Sequence, residues 1–160
     1  MRVHIGGDHA AFDLHQALVE HLRAAGHEVV DHGPHTLDPL DDYPVFVLRA
    51  AEALRDDLAA GTEGRGIVLG GSGNGEQMAA NKVAGIRAAL CYDTELARLA
   101  REHNDAQVIS IGGRMQSVEV AIEMVGVFLT TEFTGEERHQ RRIDMVGAYE
   151  ADGTLPPLPQ

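Results

Sequence analysis

Gly66-Ile67-Val68-Leu69-Gly70-Gly71-Ser72-Gly73-Asn74-Gly75-Glu76 passes from a short apolar run straight into a loop with glycine at 70, 71, 73 and 75. A continuous apolar run bounded by glycine is the pattern of a strand buried on both faces. The expected strand covers Ile67–Leu69, and a short helix, Glu76–Asn81, follows the loop. Bare backbone N–H groups in such a loop can approach an anionic ligand, and the next helix adds its positive end. The same glycines also suit a plain tight turn. Spacing alone leaves both readings open.

Similar units flank this one. Arg2–Gly6 reads as a strand and Ala10–Ala25 as a helix, with Leu14, Leu18 and Leu22 on one face and Gly26 as its stop. Glu28–Asp31 is a second strand, followed by a loop over 32–43. Pro44 suits the first turn of a helix that buries Val47, Ala51, Leu54 and Leu58, with Asp42 near its cap. Ile86–Cys91 and Val108–Ile111 read as strands four and five. Between them Asp93 or Thr94 caps a helix to about His103, and Ser117 then caps Val118–Thr130. Thr134-Gly135-Glu136-Glu137 has capping-box spacing and starts the last helix. Strands alternating with helices imply a parallel sheet covered on both faces. One domain is expected over 1–152, with an irregular, proline-rich tail over 153–160. Ligands of such sheets bind beyond the carboxyl ends of the strands. That rule selects the turns Gly7-Asp8-His9, 70–75 and Gly112–Met115.

Composition narrows the function classes. The net charge of −12 argues against nucleic acid, which needs a basic face. No apolar run has the ~20 residues of a membrane span, and the start lacks a basic-then-apolar leader. One cysteine, Cys91, leaves no internal disulfide and fits a cytoplasmic location. Lys82 is the only lysine, so a Schiff-base aldolase would rest on it alone. Histidines 4, 9, 15, 21, 27, 32 and 35 crowd the N-terminal part without ligand spacing, and most are expected at the surface.

Several familiar motifs fail. A dinucleotide fingerprint from Gly71 needs a small residue at Glu76. The loop lacks the Gly-Lys-Ser/Thr of a Walker loop, and Asn74 breaks a nucleophile elbow around Ser72. His27-Glu28-Val29-Val30-Asp31 misses a zinc motif at its last residue. What remains is Glu76 directly after a row of backbone donors. A base beside an oxyanion hole is the apparatus for removing a proton next to a carbonyl. The plain alternative is a first-turn acid favoured by the helix dipole. Other candidates carry the same double reading. Asp8 and His9 stand at the ligand edge, where Asp8 also suits a helix cap. Arg114 follows strand five. Arg138 and Arg142, four residues apart, share a helix face that suits a phosphate or simply solvent. His103 ends its helix away from the ligand edge, so a catalytic His103 requires a second subunit.

Gly7-Asp8-His9-Ala10, Asp42-Tyr43-Pro44, the segment 66–76, Ala79-Ala80-Asn81-Lys82, Gly85-Ile86-Arg87-Ala88, Ala100-Arg101-Glu102-His103-Asn104, Ile111-Gly112-Gly113-Arg114 and Arg138-His139-Gln140-Arg141-Arg142 occur in this order. Together they resemble the sugar-phosphate isomerase family of type B ribose-5-phosphate isomerases and galactose-6-phosphate isomerase subunits. The resemblance covers Val3 to about Tyr149. It implies a Rossmann-like three-layer α/β/α sandwich with a five-stranded parallel sheet. It also implies an aldose–ketose isomerase of the pentose phosphate pathway that needs neither metal nor other cofactor. The expected assembly is a homodimer with active sites between subunits, or a dimer of such dimers. By matching position, Asp8, His9, Tyr43, Gly71, Ser72, Gly73, Asn74, Gly75, Asn104, Arg114, Arg138 and Arg142 would bind the phosphorylated sugar. His103 would assist ring opening, and the Ser72 hydroxyl would help hold the enediolate. Many members carry a cysteine base where this chain has Gly70. The chain resembles instead the branch, familiar from actinobacteria, whose base is a glutamate at the position of Glu76. The expected reaction interconverts D-ribose 5-phosphate and D-ribulose 5-phosphate. A six-carbon allose or galactose 6-phosphate isomerase and a non-catalytic sugar-phosphate-binding module are the alternatives.

Overall fold

The computed structural model describes residues 1–158. Among them β1 (Arg2–Gly7), β2 (Glu28–Asp31), β3 (Gly64–Gly70), β4 (Ala88–Leu90) and β5 (Val108–Gly112) form a parallel sheet in the order β2-β1-β3-β5-β4. The period of two divides each central strand between two cores. Ile67 and Leu69 of β3, with Ile109 and Ile111 of β5, face α1 (Phe12–Ala24), α4 (Thr94–Asn104) and α5 (Val118–Thr130). Val68 and Val108 face α2 (Pro44–Ala59) and lie beside Ala80 of α3 (Asn74–Ala80). This is the expected three-layer α/β/α sandwich. A sixth helix, α6 (Glu137–Asp152), lies outside these layers and buries only His139 among its described residues. Residues 153–158 of the expected tail carry no helix or strand, and 159–160 lie outside the described residues.

Register sets the ligand edge. Gly7 pairs with Leu69 and Gly70 with Gly112, so three strand ends finish side by side. The loops beyond them are stitched together: the Gly113 N–H donates to the Gly70 carbonyl at 2.7 Å, and that of Arg114 to Gly71 at 3.1 Å.

Several local expectations change. α3 starts at Asn74, two residues before Glu76, because Gly73 adopts φ 81° and turns the chain into the helix early. β4 is shorter than Ile86–Cys91. The Asn81 side chain donates to the Ala88 carbonyl at 2.9 Å and accepts from its N–H at 2.8 Å, while Gln107 Oε1 holds the Arg87 N–H. Asp42 does not cap α2; Tyr43 holds that position with no side-chain bond, and Leu58 is only half-buried. The capping box at 134–137 does not form. Thr134 Oγ1 instead donates to the Glu102 carbonyl at 2.9 Å and ties the start of α6 to α4. Asp93 and Ser117 cap as expected.

The early histidines are not all at the surface. His15 is fully buried on Asp31 at 2.8 Å, and buried His4 bridges Asp57 at 2.8 Å and His32 at 3.0 Å. Periodicity read α1 through its leucines and passed over His15 on the same inner face. Such pairs are what make a buried imidazole tolerable.

Core packing makes a direct test. Phe128 is fully buried in the larger core, so Phe128→Ala is expected to cost about 3–5 kcal/mol. Val146→Ala, at an exposed site on α6, is expected to stay within about 0.5 kcal/mol. Urea midpoints of the two variants check both.

Candidate functional site

A cleft of about 460 Å³ opens where the strand ends meet. The turn after β1 supplies Asp8 and His9, and the loop after β3 supplies Gly71 and Ser72. Gly75 and Glu76 come from the first turn of α3, Arg114 from the turn after β5, and Tyr43 from the start of α2. Two larger hollows lie along α6, at about 580 and 530 Å³. Their size reflects an uncovered helix flank, and neither reaches the strand ends where loop donors converge.

Glu76 is 4 % exposed, and its carboxylate lies on the bare α-carbon of Gly70. A Cβ at 70 would stand 1.9 Å from Oε1 and 2.2 Å from Cδ. Any side chain at 70 and the Glu76 carboxylate therefore claim the same space. Burial pushes the Glu76 carboxyl above the ordinary glutamate range, and the nearby Asp8 charge pushes the same way. Its own backbone N–H and that of Gly73 pull against the shift without cancelling it. The helix dipole argument for a plain first-turn acid is thus outweighed by desolvation.

The loop is fixed from beneath. Gly73 is buried, and a Cβ there would meet Leu90 Cδ1 at 2.6 Å. Its carbonyl accepts from Ser110 Oγ at 2.7 Å, a fully buried hydroxyl within β5. A Cβ at Gly75 would meet the Tyr43 hydroxyl at 2.7 Å. Ser72 is exposed, and its Oγ accepts from the Asn74 backbone N–H at 3.4 Å and side-chain amide at 3.2 Å. Both bonds leave the hydroxyl proton free to donate. Arg114 arches over the loop, with Nη1 3.5 Å from a Cβ placed at Gly71.

Asp8 fills both of its roles. It caps the turn His9–Ala11 by accepting from the Ala10 N–H at 2.9 Å, and it lines the cleft. Burial raises its pKa, against the opposing pull of the Ala10 N–H and of His9. His9 Nδ1 lies 2.7 Å from Asp41 Oδ1. Asp8, His9 and Asp41 offer ligand atoms within 4.8 Å of one another. The His9–Asp41 separation is a hydrogen bond's, shorter than the spacing of two donors on one ion.

The other expected residues gather elsewhere. α4 runs back against the strands, so His103 and Asn104 end at the opposite edge of the sheet. There His103 stacks on His139 at 4.2 Å with rings 14° apart. Burial lowers the His139 pKa, as do the charges of His103, Arg138 and Arg142. Arg138 is exposed, with Nε on Glu136 at 2.8 Å, and Arg142 is exposed one turn on. The expected site is therefore split into two clusters that one chain does not bring together. Ser110 and Asp41 were missed by sequence. The signals were a lone hydroxyl in an apolar strand and an acidic pair, Asp41-Asp42, of which only the second was read.

Known proteins share this fold. The ribose/galactose isomerase family matches residues 3–146. The chain belongs to that family. Members similar to it include ribose-5-phosphate isomerase B of Mycolicibacterium paratuberculosis, 50% identical over 99% of this chain and 98% of the relative. The Mycobacterium tuberculosis enzyme of the same name is 50% identical over 99% and 96%. The solved structure of Mycoplasma genitalium ribose-5-phosphate isomerase B, with ribulose 5-phosphate bound, has a TM-score of 0.88 at 38% identity, covering 94% of this chain and 97% of that one.

The raised pKa of Glu76 has a stability consequence. A carboxyl whose folded pKa lies above its unfolded value stabilises the fold below the unfolded pKa and loses that stabilisation as pH rises through the folded pKa. Glu76→Gln removes the ionisable group. The variant is expected to melt above the wild type near neutral pH, with the difference vanishing below about pH 4. Thermal melts across that range check it.

Proposed function

We propose that this chain interconverts D-ribose 5-phosphate and D-ribulose 5-phosphate, with Glu76 as the base. The reading is supported by ribose-5-phosphate isomerase B relatives that match almost the whole chain. The observation that carries the Glu76 assignment is its buried carboxylate, seated on Gly70 beside the glycine loop.

The reaction follows from the cleft. The furanose opens by proton transfer at the ring oxygen and the anomeric hydroxyl, the work assigned to His103 with Asp8 nearby. Glu76 takes the C2 proton of the open aldose. The C–H electrons form the C1–C2 double bond, and the carbonyl electrons move onto oxygen. Backbone N–H groups of residues 71–75 and the Ser72 hydroxyl hold the cis-enediolate. Transfer of the C2 hydroxyl proton to the C1 oxygen lets the C2 oxygen form the new carbonyl, while the double-bond electrons take the proton back from Glu76 at C1 and give the ketose. Arg114, Arg138 and Arg142 hold the phosphate, so binding energy at the far end positions the reacting carbons.

His103 and the α6 arginines sit at the opposite edge of the sheet from Glu76. A second copy of the chain therefore completes each cleft, in a homodimer formed from one domain over 1–152. No described helix is long and apolar enough to cross a membrane. Cys91, its thiol pushed up to about 12 by burial, is unsuited to redox use and fits a cytoplasmic enzyme.

Four outcomes are expected. Ketose formation from ribose 5-phosphate persists in EDTA and falls two to four decades in Glu76→Gln, the usual scale of general-base loss. The acid limb of kcat/KM lies above the ordinary glutamate range, since Glu76 must be ionised and burial raises its pKa. Turnover confined to a six-carbon phosphosugar would replace the substrate, and binding without turnover would replace the activity. Gly70→Ala displaces the carboxylate and is expected to lower kcat by roughly a hundredfold; wild-type kcat there would remove Gly70 as the seat of the base. Mixing Glu76→Gln with His103→Asn chains, each nearly inactive alone, is expected to restore roughly a quarter of wild-type activity if each site takes residues from both copies. No recovery after subunit exchange would place each site within one chain.

A further inference from the structure

Asp41 serves neither the proton transfer nor a helix cap, yet its side chain is only 9% exposed. It reaches His9 from the loop before α2. One oxygen, Oδ1, accepts the His9 backbone N–H at 2.9 Å and faces Nδ1 at 2.7 Å. The other, Oδ2, is buried without a hydrogen-bond partner among the described residues. A half-satisfied buried carboxylate lowers stability rather than raising it. The arrangement makes sense as a device that acts on His9. A carboxylate on Nδ1 places a proton there, fixes the ring, and leaves Nε2 as its open pole.

The charged groups facing His9 are Asp41 from this loop, Asp8 from its own turn and Arg114 from the turn after β5. Of the two carboxylates Asp41 is the one that hydrogen-bonds the ring, and that bond is the largest influence on it. His9 and Arg114 line the same cleft. Two cations at that wall suit a phosphate dianion.

Resting on the function proposed above, we infer that Asp41 is a positioning residue: it holds the His9 ring fixed and cationic, so that its Nε2–H pole joins Arg114 in binding the substrate's phosphate. The Asp41 hydrogen bond raises the His9 pKa, and the Asp8 charge adds to it, against burial and Arg114. The cation therefore persists above the pH at which an ordinary histidine loses it.

Asp41→Asn is the discriminating variant, because its amide oxygen can accept the same two bonds while the charge is lost. KM for ribose 5-phosphate is expected to rise about tenfold near pH 8, with kcat within about threefold of wild type. The two KM values are expected to converge near about pH 5.5, where His9 is protonated in both proteins. The melting temperature should hold or rise, whereas loss of a structural tie would lower it. In a His9→Asn background, Asp41→Asn should change KM little. Equal KM values for wild type and Asp41→Asn across this pH range, or an undiminished effect without His9, would overturn the proposal. Wild-type protein without isomerase activity would instead count against the function itself. NMR titration of the His9 ring, assigned by its loss in His9→Asn, then decides for Asp41 independently of turnover. A downward shift of the His9 pKa in Asp41→Asn supports the device, and an unchanged value rejects it.

Discussion

The carboxylate of Glu76 rests where a side chain at position 70 would have to be, and much of the cleft follows from that contact. Gly70 must lack a Cβ, so β3 must end in glycine. Gly70 also accepts the Gly113 N–H, so the turn carrying Arg114 is hung from the same residue. Burying the carboxylate there strengthens it as a base and weakens the fold that holds it. Strand pairing, a buried serine and a left-handed glycine keep that compromise in place.

The layers were legible because their signals are local. Apolar runs, leucine spacing in α1 and the caps at Asp93 and Ser117 each act within a few residues. Failures came where a side chain reached across the chain instead. Thr134 has capping spacing but spends its hydroxyl on Glu102, and Asn81 ends the edge of β4 from a different element. Neither contact can be read from neighbours in sequence. Asp41 was hidden for the same reason: its partner, His9, lies 32 residues earlier.

For the site, the sequence named most of the groups that the cleft brings together. It could not show Glu76 on Gly70, because close approach leaves no trace beyond a glycine. Nor did composition show that one family of histidines would divide by role. His15 and His4 are paired inside, His9 stands at the cleft, and His103 stacks at the far edge. A cluster in sequence is not a cluster in space.

The amide of Asn81 both gives and takes a hydrogen bond at Ala88, as the backbone of a further strand would. It acts as a dummy strand one residue long at the β4 edge of the sheet, where Ala88 is buried. Stray chains that would add themselves there find the outward groups of Ala88 already engaged. Backbone pairing, whose growth is open-ended, therefore finds no free donor or acceptor at Ala88. A small polar residue at the C-terminal cap of α3 thus closes the backbone edge at Ala88.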